Sequence, residues 1–111
     1  QHTLRPGAKP LLSKLSKALK PQLSTAMVRI EGHTDNLPIK KQKDRFKSNW
    51  ELSSARASSV LHYMVDNCRL DSKKVYMAGL GDQHPVANNS TPAGRQKNRR
   101  VDIVIVPKDK T

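Results

Sequence analysis

Asp35 and Arg56 are the two side chains whose types and placement best support a shared chemistry. Asp35 closes the run Gly32-His33-Thr34-Asp35, which follows Met27-Val28-Arg29-Ile30-Glu31. The alternation of apolar and polar residues there predicts a half-buried strand, and open α/β folds collect their ligands at such strand ends. Arg56 lies one residue before Ala57, which opens a helical stripe of Ala57, Val60, Leu61, Met64, Val65 and Cys68. It therefore projects from the flank of that helix. If the helix packs back across the sheet, its first two turns pass close to the strand end. A carboxylate and a guanidinium held there would suit a zwitterion, the carboxylate taking an ammonium and the guanidinium taking a carboxylate through two parallel bonds. The plainer reading of the same two residues is a surface ion pair worth ~0–1 kcal/mol.

Asn98-Arg99-Arg100 precedes the last strand, where its arginines are either simply solvated or add a second guanidinium to the same rim. Other chemistries find no support. His2, His33, His62 and His84 form no i, i+4 pair on a helix and no spacing suited to zinc, so no metal site is expected. His62 reads as a surface histidine. Gly79-Leu80-Gly81 lacks the third glycine and the Lys-Ser/Thr of a phosphate loop, and no serine sits in a nucleophile elbow. Nothing assembles a nucleophile, a base and an oxyanion hole, so the chain is expected to have no catalytic residues and no cofactor.

The elements that must position these residues alternate in type. Leu11, Leu12, Leu15 and Leu19 recur at helical spacing within residues 4–20, and Pro21 closes that helix. The strand from Met27 follows, then a loop over residues 36–48 carrying Lys40, Lys41, Lys43, Arg45 and Lys47 around one acid, Asp44. That loop reads as a solvated tip that tunes attraction to an anionic partner. Ser48 and Glu51 form a capping-box signature ahead of the second helix. Cys68 completes the stripe of that helix and is expected to be buried. Val75–Ala78 and Val101–Val106 read as strands, with a polar stretch between them able to hold a short helical turn. The fold class expected is α/β, in the sense of an α+β sandwich: helices packed on a small sheet of mixed strand direction.

The chain has 111 residues, enough for one domain spanning 1–111. Apolar residues make up 35% and charged residues 27%, lean but compatible with a core. No apolar run approaches the ~20 residues of a membrane span. The first residue is Gln1, so any targeting or anchoring segment is expected to lie outside the sequence. Lys plus Arg total 21 against 9 acids, a formal charge of +12 that predicts attraction to anions. Nucleic acid is one such partner. Aromatic residues are only 4% and no recognition-helix motif is present, so no nucleic-acid partner is expected. One cysteine excludes an internal disulfide.

Four motifs in order carry a resemblance: Gly32-His33-Thr34-Asp35; Asn49-x-x-Leu52-Ser53-x-x-Arg56-Ala57; Gly79-x-Gly81-x-x-x-Pro85; and Asn98-Arg99-Arg100-Val101. Over about residues 4–107 the chain resembles the OmpA-like peptidoglycan-binding domain. Asn36-x-Pro38 and Phe46-x-Ser48-Asn49-Trp50-Glu51 make it most similar to the periplasmic part of MotB-type flagellar stator subunits.

The resemblance implies a non-catalytic anchor that binds peptide stems of peptidoglycan and holds a flagellar stator to the wall. Asp35 would receive the ammonium of diaminopimelate and Arg56 the carboxylate of the same centre, with Thr34, Asn49, Leu52 and Arg99 lining the groove. It further implies a homodimer, a MotA-type channel subunit as partner, and a periplasmic domain of an inner-membrane protein whose first family strand and transmembrane helix lie outside this sequence. An outer-membrane anchor of the OmpA or Pal kind is the rival within the family. A basic nucleic-acid-binding module is the rival from another class.

Overall fold

The computed structural model describes residues 7–37 and 46–108. Helix α1 (Ala8–Leu19) runs into a 3-10 turn (Lys20–Ser24) and then strand β1 (Ala26–Gly32). Helix α2 (Asn49–Asp66), a 3-10 turn (Ser72–Lys74), strand β2 (Val75–Gly79), helix α3 (Pro92–Asn98) and strand β3 (Val101–Pro107) complete the chain. The first helix is shorter than the expected 4–20, and residues 4–6 lie outside the described residues. The α-helix stops at Leu19, two residues before Pro21, in keeping with a proline stop, and Pro21 sits in the first turn of the 3-10 element that follows.

β1 is the central strand, in the order β2-β1-β3. It pairs in parallel with β2, Ile30 opposite Met77, through the crossover helix α2. It pairs antiparallel with β3, Ile30 opposite Ile103. The sheet is mixed, as expected. The alternation along β1 sends Ala26, Val28, Ile30 and Gly32 to the helix-covered face, while Met27, Arg29 and Glu31 face the other way, half-buried. Val28 and Ile30 are sealed against Leu12, Leu19, Ala57, Val60 and Met64, which form one core cluster with Leu23, Leu70 and Val75.

Two glycines let α2 approach the sheet. A Cβ on Gly32 would fall 1.9 Å from the Ser53 carbonyl oxygen, and one on Gly79 would fall 2.0 Å from the Ser54 Oγ. The helix therefore lies directly over the C-terminal ends of β1 and β2. Its start is fixed by Ser48, whose Oγ accepts from the Glu51 N–H at 3.3 Å, half of the capping box read from the sequence.

Cys68 departs from its expected burial. α2 ends at Asp66, so Cys68 falls in the following turn, half-buried, with Sγ 3.7 Å from Ser13 Oγ on α1. The helical stripe does not extend far enough to take it into the core. The tip of the basic loop, residues 38–45, lies outside the described residues; Lys47 is exposed.

Candidate ligand-binding site

Beyond Gly32 the chain leaves β1 but stays pinned. The His33 N–H donates to the Arg100 carbonyl at 2.8 Å and the Thr34 N–H to the Gly81 carbonyl at 2.9 Å. Gly81 is in turn tied to α2, its N–H donating to Ser53 Oγ at 2.9 Å. Trp50 in the first turn of α2 lies against Gly81. Three segments distant in sequence thus converge on the end of β1, and backbone hydrogen bonds fix their spacing.

Asp35 stands at their meeting point. Its Oδ2 accepts from Arg99 Nη1 at 2.6 Å and its Oδ1 from the Leu37 N–H at 3.0 Å. The residue is only 7% exposed, against an expectation that it would sit at an open rim. The Asp35 side chain is buried while Arg99 keeps 40% of its side chain in solvent, so the pair has a closed end and an open end. The ion pair seen at Asp35 is with Arg99. Arg56, expected to face Asp35 directly, places Nη1 3.3 Å from the His33 carbonyl, two residues earlier in the same segment. It reaches the strand end from the second turn of α2.

The remaining expected residues fall around this pair. Thr34 is buried, and its Oγ1 donates to the Asp35 carbonyl at 2.8 Å. Asn49 Nδ2 donates to the carbonyls of Leu37 (3.2 Å) and Asp35 (3.4 Å), holding the segment down from above. Asn49, Leu52 and Arg56 share one face of α2 at i, i+3 and i+7, and Leu52 is half-buried. Exposed Trp50 and Leu37 add apolar surface nearby.

Sequence reasoning missed the residue that places Arg99. Asn98 is fully buried; its Oδ1 accepts from the N–H groups of Val86 and Ala87, and its Nδ2 donates to the Ala87 carbonyl and Asn89 Oδ1. It fastens the β2–α3 connection to the end of α3, one residue before Arg99. No local pattern announces this, because its partners are backbone groups of a loop. Neither helical i, i+4 spacing nor Cys/His zinc spacing picks out Glu31-x-His33, an i, i+2 pair at the end of β1. His33 is 2% exposed; its burial, and secondarily Arg100, lower its pKa from the usual imidazole value.

The fold and this site define a class: residues 1–99 match the model of the OmpA family, and the chain belongs to that family. Among particular relatives, it is 41% identical over 106 residues to Motility protein B of Bacillus subtilis, covering 96% of this chain and 40% of that protein. The chain thus spans less than half of that relative's length. The C-terminal domain of Helicobacter pylori MotB superposes with a TM-score of 0.90 at 23% identity, over 97% of this chain and 80% of that one. The cell wall anchor of the type VI secretion system from Pseudomonas aeruginosa superposes with a TM-score of 0.81 at 34% identity, over 97% and 72%.

Proposed function

We propose that this domain binds peptidoglycan without catalysis, through the zwitterionic diaminopimelate centre of its peptide stems, and so anchors a MotB-type flagellar stator to the cell wall. The observation that carries this reading is the arrangement at the end of β1: one buried carboxylate, Asp35, with the guanidinium of Arg99 on it and that of Arg56 on the same short segment. Two cations and one anion leave a net positive charge, which suits a ligand offering both a carboxylate and an ammonium. Arg56 and Arg99 take the carboxylate; the remaining lone pairs of Asp35 take the ammonium. The hydrogen bonds of Thr34 and Asn49 hold the segment rigid, so little ordering cost falls on binding.

Membership of the OmpA family, the likeness to Motility protein B and the structural likeness to a cell wall anchor support the same reading. On this reading the domain is periplasmic, works as a dimer beside a MotA-type channel subunit, and multiplies weak contacts by avidity along the wall polymer.

Co-sedimentation with purified sacculi at about 200 mM salt tests it, because contacts that rest on phosphate neutralisation weaken by orders of magnitude between about 50 and 200 mM. The protein should pellet with sacculi at the higher salt, and Asp35→Asn should remain in the supernatant. Equal pelleting of both proteins would overturn the assignment of the site.

A further inference from the structure

On the sheet face turned away from the helices, β1 and β3 bring together three ligand-type side chains that the wall-binding reading does not use. Glu31 and Asp102 are direct cross-strand partners, and His33 extends the same face two residues beyond Glu31. His33 Nε2 lies 3.3 Å from Asp102 Oδ2 and 3.7 Å from Glu31 Oε1. One donor atom from each residue falls within 4.8 Å of the other two. The imidazole is 2% exposed, yet neither ring nitrogen makes a hydrogen bond. Buried polar groups are normally paired, and this ring turns Nε2 toward two carboxylates without a well-formed hydrogen bond to either.

We propose that Glu31, His33 and Asp102 form a site for a divalent cation of the zinc type, with water completing the coordination. Ligand atoms about 2.0–2.1 Å from a tetrahedral zinc lie about 3.3–3.4 Å apart, the spacing already present between His33 and Asp102 and close to that between His33 and Glu31. One nitrogen and two carboxylate oxygens are a donor set that zinc accepts.

Outer partners orient the carboxylates. Arg29 Nε holds Glu31 Oε2, leaving Oε1 toward His33, and Arg100 Nε lies 3.1 Å from both Asp102 oxygens. These two guanidiniums offset part of the carboxylate charge, so binding weaker than that of a structural zinc finger is expected. Glu31 and His33 are largely covered, whereas the Asp102 side chain is 40% exposed and gives the ion and its water a route in.

The test is calorimetric titration of Zn2+ into the metal-stripped protein, with thermal melts and Co2+ absorption spectra alongside. Wild type should bind one equivalent at this site, melt higher with zinc, and give visible Co2+ bands. Asp102→Asn and Glu31→Gln should each weaken binding by 10-fold or more and lose most of the melting shift. His33→Gln should do the same if it folds; the two carboxylate variants decide the matter if it does not. Wild-type affinity retained in both carboxylate variants would place zinc on other groups, such as His62, His84 or Cys68, and overturn the site. Failure of wild type to bind at 1 mM Zn2+ would overturn it equally. Neither outcome bears on sacculus binding, which is measured separately with the metal-stripped protein.

Discussion

A carboxylate as covered as Asp35 is held by its partners, so removing one partner costs more than a surface pair would. Arg99→Ala removes the guanidinium donor from Asp35 Oδ2, and Asp35→Ala removes the acceptor of the Leu37 N–H. Each should destabilise the domain by roughly 1–2 kcal/mol, the range for a charged hydrogen bond reduced for the exposed arginine. The double variant should lose less than the sum of the two, with a coupling of at least ~0.5 kcal/mol in urea unfolding. Additive losses would mean that the Asp35–Arg99 contact contributes nothing. At this scale the residues were legible in the sequence and the pairing was not. The type and strand-end position of Asp35 marked it out, but which of two arginines meets its carboxylate depends on how α3 ends. That end is set by Asn98 and the loop it binds, which no periodic pattern encodes.

The elements themselves were read with little error where side-chain period decides them: β1, β2, β3 and the start of α2 all fall within about a residue of expectation. Cys68 was misplaced because a stripe of apolar residues does not say where a helix stops. Here the Asn67 and Cys68 N–H groups both turn back to the Tyr63 carbonyl, and Arg69 takes a positive φ of 61° to leave the helix. Half-burial makes its thiol accessible, and native labelling should proceed without global unfolding. Asn98 is the residue on which the α3 connection depends. Asn98→Ala strands two loop N–H groups and should cost roughly 2–3 kcal/mol, while moving Arg99 enough to weaken wall binding. A melting temperature within 1–2 °C of wild type would show that the loop holds its shape without that side chain. Gly79→Ala should be at least as damaging, since its Cβ would meet backbone atoms of Ser54 at 2.8–2.9 Å as well as the hydroxyl.

For the molecule as a whole, the charge of +12 adds long-range attraction to any anionic partner, laid over the local site. Neutralising Lys40, Lys41, Lys43, Arg45 and Lys47 lowers it to +7 (12 − 5). That change should leave the unfolding midpoint nearly unaltered while weakening sacculus binding at low salt and hardly at all at high salt. The Asp35–Arg56–Arg99 site should behave in the opposite way, with discrimination that survives salt because it rests on geometry. The most direct test is titration of a diaminopimelate-containing stem peptide, free or with the diaminopimelate carboxylate amidated, into wild type and Arg56→Ala at about 200 mM salt. Wild type should prefer the free carboxylate by roughly 10-fold, the value of one charged hydrogen bond, and Arg56→Ala should lose most of that preference. Equal binding of the two peptides by wild type, or an unchanged preference in Arg56→Ala, would contradict recognition of a zwitterionic stem at the end of β1.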